Sequence, residues 1–327
     1  DSVLRANGLP MRADAVRVGD SLLGPDGKPR KVMEVHQGSA PMFRVYPRHA
    51  EQFTVTGNTL LVVQVYRCGT GYPRWKPEVV EVTAEAWLDW GSSLQKRSYL
   101  LHVAVEFPEI ELPEDPYAFG LRCGTDSFQT SIPANVQTSI PDIYKCGSVR
   151  QRRELIAGIL DSNGKCERGY AYTLTVNSAV FAEDLVHVIR SVGIAATVTK
   201  VQNSYRLDLT GHVLALPLRS DKRAGRVARF ATPGRTSFRI FRLPMGPYCG
   251  WTLDGDERYL SGSFLVMHNS GKTRTMAEVV RRIGLPAIWM APTDRIVQQT
   301  HEFFDETFGK NFAHRQVGSK GWEAAAR

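Results

Sequence analysis

Apolar and polar positions along this chain repeat at two periods, and the places where the period changes divide it into segments. Up to about residue 105, short apolar runs (Lys31 to His36, Met42 to Tyr46, Gln52 to Val65) are punctuated by turn text such as Gly24-Pro25-Asp26-Gly27 and Thr56-Gly57-Asn58. Successive side chains of a strand point to opposite faces, so this text predicts strands and hairpins. From about residue 113 to 218 the pattern becomes mixed. Arg150 to Leu160 and Ala179 to Val192 carry apolar residues at helical spacing, whereas Tyr170 to Val176, Val198 to Val201 and Tyr205 to Leu209 read as strands. Arg219 to Arg242 holds eight Lys or Arg against one Asp and reads as a basic linker or solvated loop. Residues 243 to 269 return to strand text. Beyond Ser270, a helix (Thr273 to Ile283), a short buried strand (Ala287 to Met290) and a second helix (Arg295 to Phe308) predict an α/β fragment.

Composition narrows the picture only slightly. The 327 residues, 43% of them hydrophobic, suffice for two or three domains. The net charge of +8 favours a polyanionic partner such as nucleic acid. Five cysteines without framework spacing fit free thiols in a reducing, cytoplasmic setting in a bacterium, archaeon or phage-infected cell. No apolar run approaches the roughly 18 residues of a membrane span, and no signal peptide is evident, so no membrane partner is expected. A first residue of Asp rather than Met suggests a piece of a longer precursor, expected to act as a monomer.

The chemistry concentrates at Val266-Met267-His268-Asn269-Ser270-Gly271-Lys272-Thr273. Read forward, Ser-Gly-Lys-Thr is the second half of the phosphate-binding loop G-x-x-x-x-G-K-[ST], in which backbone N–H groups cradle phosphates. The glycine that should open that loop falls on Val266, so the motif is interrupted. Read backward, Asn269 can attack its own carbonyl with its carboxamide nitrogen, closing a five-membered imide and freeing Ser270; tethering within one residue supplies the proximity. His268 is placed to polarise that carbonyl or protonate the departing amine, and the Ser270 hydroxyl can carry an acyl group as an ester before passing it to its own nitrogen.

An insert that ends His-Asn-Ser and splits a nucleotide-binding loop resembles an intein, a self-splicing segment with a β-rich, horseshoe-like Hint fold that is often interrupted by a homing endonuclease. Other stretches carry the same resemblance. Asp1 to Leu4, with Val18-Gly19-Asp20-Ser21-Leu22 and the Asp26-Gly27 hairpin, resembles the first intein block, which places the upstream nucleophile a few residues before Asp1. Phe53 to Leu60 resembles the second block, T-x-x-H, with Thr56 in place and Thr59 at the histidine position; a hydroxyl donates a hydrogen bond but does not titrate near neutrality. Tyr248 to Leu260 resembles the penultimate block. There Cys249 is an acid/base group, a nucleophile of a variant class, or a buried strand thiol, and Arg258 stands where several inteins have His. The variant class pairs its cysteine with a Trp and a Thr at positions that here hold Leu61 and Met267.

Arg153 to Gly164 is similar to the LAGLIDADG helix of homing endonucleases, with Ile140 to Tyr144 before it and Ser191-Val192-Gly193 after it. That family packs two such helices through their glycines and binds a catalytic divalent metal with the last acid of each. The aligned residue is Asn163, which is neutral, while Asp161 matches an earlier acid. Asp115 to Asp126 resembles the first copy, with the metal position on Thr125 and Asp126 one place late. The resemblance therefore implies a shortened, degenerate endonuclease domain whose vestigial acids are Asp126 and Asp161. The basic run 219–242 would supply phosphate contacts to DNA.

The expected division is 1–110 and 243–269 for the two parts of the Hint domain, 111–218 for the endonuclease-like domain, 219–242 for the linker and 270–327 for the resumed host. In the host, Gly271, Lys272 and Thr273 would bind ATP and magnesium once the missing half-loop is joined on. The Ala291-Pro292-Thr293 loop resembles that of superfamily-2 helicases and of phage terminases, with Gln298-Gln299 and Gly309 favouring the helicase. Splicing would need no cofactor, and its partners are the chain's own flanks. Two other readings stay open. One is an active endonuclease using magnesium at Asp126 and Asp161; the other is a P-loop ATPase with a structural insertion.

Overall fold

Strands of unusual length organise the β segments. The computed structural model describes residues 1–68, 75–125, 139–167, 171–220, 234–270 and 301. In chain order the strands are β1 (Ser2–Leu4), β2 (Pro10–Arg12), β3 (Ser21–Leu23), β4 (Pro29–Pro47), β5 (Phe53–Thr56), β6 (Thr59–Cys68), β7 (Trp75–Thr83) and β8 (Ser98–Leu101). After the mixed region, which contains β9 (Lys165–Glu167), β10 (Ala171–Val176), β11 (Ile194–Val201) and β12 (Ser204–Gly211), come β13 (Arg235–Thr236), β14 (Phe238–Leu253), β15 (Arg258–Leu260) and β16 (Val266–Ser270). The helices are α1 (Ala84–Leu88), α2 (Ser92–Gln95), α3 (Pro116–Cys123), α4 (Asp142–Lys145), α5 (Val149–Asn163) and α6 (Ala179–Ser191).

The two apolar runs Lys31 to His36 and Met42 to Tyr46 belong to one strand, β4, which pairs antiparallel with β14 from Phe238 opposite Pro47 to Leu253 opposite Val32. The register slips between Leu243 and Met245 and again between Thr252 and Leu253. Pro244 lies at the first slip; it has no N–H for the ladder, and a bulge absorbs the residue that cannot pair. Gln52 to Val65 divides at Thr56-Gly57-Asn58 into β5 and β6, as the turn text predicts. β6 is buried almost continuously because β7, β8 and β16 all pair with it in a six-stranded sheet. Leu61, Val63, Val65, Leu100, Trp87 and Met267 pack into one β core, and Leu4, Val62, Phe264 and Val266 into its neighbour.

The mixed region is an α+β unit with an antiparallel sheet in the order β11-β12-β10-β9. Its helices start on side-chain caps: Asp115 accepts from Ala118 N, Ser148 and Gln151 form a reciprocal capping box, and Ser178 accepts from Phe181 N. Helices α3 and α5 cross with their backbones in contact. A Cβ on Gly158 would lie 2.2 Å from the Tyr117 carbonyl oxygen, and one on Gly120 2.3 Å from that of Leu155. Phe181, Leu185, Val188 and Ile189 of α6 close the core against β10, β11 and β12.

The basic stretch departs from its expected form. Residues 221–233 lie outside the described residues, but its later part is strand: β13 pairs with β8, and β14 begins at Phe238. Arg235 stacks over Tyr66 and Tyr99 at 4.5 and 4.7 Å, and Arg219 over Tyr117 at 3.7 Å. Aromatic faces attract guanidinium groups, so these cations stack on the chain's own rings, Arg235 partly buried and Arg219 still exposed.

Two buried histidines sit where α6 meets the β part. Burial first, with Arg190 nearby, pushes His102 down to about 3 from an ordinary 6.5, and burial first pushes His187 down to about 4. A histidine held neutral contributes stability that is present above the unfolded value and lost as pH falls through the folded value. The urea midpoint should therefore fall between about pH 6.5 and 4, above the range where most carboxylates titrate. His187→Phe should flatten that limb.

Candidate active site

A cavity of about 360 Å³ opens where β1, β5, β14 and β16 come together, and Asp1, Thr56, Thr59, Cys249, Tyr259 and His268 all line it. These residues come from blocks far apart in sequence, and the sheet topology makes them neighbours. Asp1 is tied in by its carboxylate, which accepts from Thr54 N at 3.0 Å, and by its carbonyl, which accepts from Ala13 N.

Thr56 and Thr59 are both buried and flank the β5–β6 turn. The Thr56 hydroxyl donates to Asn58 Oδ1 at 2.6 Å, and the two threonine oxygens lie 2.9 Å apart. Each hydroxyl has a single proton, so Thr59 donates to Thr56 and presents the cavity with an acceptor. The residue at the histidine position is thus committed as a donor inside its own turn.

Cys249 lies on β14 opposite Gln37 and is half-buried. Burial, then the charge of Asp14, pushes its thiol above the ordinary range. A raised thiol is neutral at pH 7, where it is a hydrogen-bond donor and a poor nucleophile. Iodoacetamide should accordingly modify Cys249 slowly at pH 7, with mass spectrometry showing the rate rising only above the usual thiol range. Rapid labelling at pH 7 would make Cys249 a nucleophile instead.

His268 sits on β16 opposite Arg258 of β15. Its Nε2 is 3.8 Å from Glu81 Oε1, and the same oxygen accepts from Arg258 Nη2 at 2.6 Å. Glu257, at φ 58°, has its carboxyl raised by burial, against the attraction of His268. Glu81 and Glu257 carry no motif. Only the fold, by pairing β7 with β6 and β6 with β16, brings Glu81 to His268.

The backbone of the junction itself is irregular. From Met267 opposite Leu61 to Ser270 opposite Thr59, β16 advances three residues while β6 advances two. A bulge therefore falls across His268 and Asn269, and a bulged residue is freed from the ladder and bent away from the strand. Gly271, Lys272 and Thr273 lie outside the described residues.

Asp161, one of the two acids read as vestigial, is engaged inside the protein. Asp161 accepts from the Tyr117 hydroxyl at 2.7 Å, from Arg219 N at 2.6 Å and from both Ser220 N and its hydroxyl. Burial alone would raise this carboxyl, but those donors outweigh it and hold it low. Its lone pairs are consumed within the protein. Asn163 donates through Nδ2 to Thr175 O, the Thr125 hydroxyl donates to Arg122 O, and Asp126 lies outside the described residues. Among the described residues no group of three or more His, Cys, Asp or Glu is placed to hold a metal, and no helix is long and apolar enough to cross a membrane.

Comparison with known proteins adds three similarities. A family model described as Homing endonuclease matches residues 139–215. The replicative DNA helicase DnaB of Mycobacterium intracellulare is 28% identical over 229 residues, covering 54% of this chain and 39% of that protein. The chain thus spans well under half the length of that relative. A crystal structure of the Msm DnaB1 intein splicing domain bound with zinc aligns over 82% of this chain and 97% of that one, at 12% identity and a TM-score of 0.28.

Proposed function

We infer that this chain, an intein whose β-rich splicing domain is interrupted by a homing-endonuclease segment, excises itself from a precursor and joins the two flanks. The observation that carries this reading is the shared cavity. Asp1 beside the upstream junction and His268 beside the downstream one line the same space, as an acyl group passing between junctions requires.

In the downstream step the Asn269 carboxamide nitrogen attacks the Asn269 carbonyl carbon, and the bond from that carbon to the Ser270 nitrogen breaks. His268 delivers a proton to the departing nitrogen, and the carboxamide nitrogen loses one. The bulge supports this chemistry because a residue held in a regular ladder would have to break pairing before folding onto its own carbonyl. The upstream acyl group, carried as an ester on the Ser270 hydroxyl, then moves to the freed Ser270 nitrogen. Cys249 serves as a neutral donor to the intermediate. Thr59, already donating to Thr56, makes activation of the upstream junction the slower half. No cofactor enters these steps, and the partners are the chain's own flanks.

The homing-endonuclease segment has lost DNA cleavage in this reading, because Asp161 is engaged as a structural acceptor and Asn163 is neutral. The segment resumed at Ser270 belongs to a P-loop ATPase, with Gly271, Lys272 and Thr273 completing an ATP–magnesium site after ligation. Similarity to a replicative helicase favours a helicase host over a terminase. Expression with both flanks restored should yield, by intact mass, a ligated host and a free insert, and the purified chain should not nick plasmid DNA in magnesium. A precursor that stays intact sinks the splicing reading, and nicking revives the endonuclease.

A further inference from the structure

The end of helix α6, which belongs to the homing-endonuclease segment, is built into the turn between the two strands that carry the downstream junction. β15 and β16 are joined by Ser261-Gly262-Ser263-Phe264-Leu265, closed by Phe264 N donating to Ser261 O and Ser261 N donating to Leu265 O. Phe264 is fully buried at φ 60°, in the left-handed region that a bulky side chain adopts only when its surroundings impose it. The surroundings include α6: the His187 ring lies 5.0 Å from the Phe264 ring, and the His102 ring 6.3 Å from it.

Arg190 completes the contact. It is 6% exposed; Nη1 meets Glu51 Oε1 at 2.5 Å and Ser263 Oγ at 3.2 Å, while Nη2 donates to Ala196 O within the segment at 2.9 Å. Ser263 donates to the other Glu51 oxygen. One guanidinium thus links the carbonyl edge of the inserted unit to the turn. The same turn holds the upstream end, since Gly262 N donates to Ser2 O and a Cβ on Gly262 would meet Ser2 Oγ at 2.1 Å.

Resting on the splicing reading, we propose that Arg190 is a positioning residue for splicing: through Glu51 and Ser263 it holds the 261–264 turn, and thereby sets both the bulged strand bearing Asn269 and the start of β1. A segment that no longer cuts DNA then still has a task, and its α6 helix belongs to the splicing machinery. Misplacement of reacting groups by about 1 Å costs on the order of 100-fold, so loosening this turn should be visible in the rate while leaving the fold intact.

The test compares the full precursor with Arg190→Met, Arg190→Lys and Glu51→Gln, and with Arg152→Met as a control. Arg152 is equally buried but bonds Gly147, Ser191 and Val105 rather than the turn. Rates of downstream cleavage are read at a temperature where circular dichroism shows every variant folded, with hydrogen exchange followed by peptide. Arg190→Met and Glu51→Gln should slow cleavage by about 10-fold or more and raise exchange at residues 261–266, leaving the β4–β14 ribbon protected. Arg190→Lys should fall between, and Arg152→Met should keep the wild-type rate. Wild-type rates in both Arg190→Met and Glu51→Gln, or equal slowing in Arg152→Met, overturn the inference. An unspliced wild-type precursor would instead indict the splicing reading. If Arg190→Met does not fold, Glu51→Gln decides, since at a surface-exposed side chain it removes the charge and one of the two acceptor oxygens that meet Arg190 and Ser263.

Discussion

Asn269→Ala is expected to abolish release of the segment beyond Ser270, leaving the precursor intact or, where the upstream junction activates, a branched species with the acyl group on Ser270. In the proposed step the carboxamide is the nucleophile, and alanine has none to offer. An outside amine or water would have to replace a group tethered one residue away, forfeiting an effective molarity of about 10⁵ M or more. The loss should therefore be total on the timescale of any practical assay. Cys249 cannot substitute because it is not tethered to this bond, and attack by the Ser270 hydroxyl on the Asn269 carbonyl only turns the amide into an ester that still joins the two segments. Intact mass over several days, with a search for the imide at the insert's end in the unmodified chain, provides the check. Steady release of the host segment from the alanine variant would mean that another bond-breaking chemistry operates.

The second large effect lies at the helix crossing. Gly158→Val should unfold the α+β unit at a substantially lower urea concentration. Both glycines have helical backbone, so propensity alone would make almost any replacement favourable, by about 1 kcal/mol for alanine. Packing decides otherwise. The first added atom at Gly158 would stand 2.2 Å from the Tyr117 carbonyl oxygen and 2.8 Å from Leu121 N, both backbone atoms that cannot rotate aside. The helices must separate, opening contacts along Phe119, Leu155 and Ile159. Overpacking of a core typically costs about 1–3 kcal/mol, and a clash against backbone with the added β-branch puts the expected loss at roughly 3 kcal/mol or more. Gly158→Ala should also destabilise, by less. A variant as stable as the parent would show that the backbones are not in contact.

Much of the candidate site could be read from the residues, and for identifiable reasons. The chemistry of Asn269 and Ser270 is local: ring closure and acyl shift involve atoms of one or two neighbouring residues, so the order His-Asn-Ser states them. The Thr56-Gly57-Asn58 turn and the β-branched runs beside it state β5 and β6 equally directly. The glycines of α3 and α5 announced a close helix crossing. Glu81 could not be found in this way, because its relation to His268 is created by pairing between strands remote in sequence. The strand character of Arg235 to Arg242 was hidden as well, since a run of arginines resembles a solvated loop until Tyr66, Tyr99 and β8 supply its partners.

What the sequence determined by itself is the set of reactions available, since covalent steps between adjacent residues follow from their identity and order. Tertiary structure alone decided which of those groups are free to act. It engaged Asp161 with Tyr117 and Ser220, turned the Thr59 proton toward Thr56, raised the Cys249 thiol by burial, and placed a bulge across His268 and Asn269. The reason is physical: availability of a lone pair or proton depends on solvent access and on neighbours brought together from distant strands, and neither is written in local sequence.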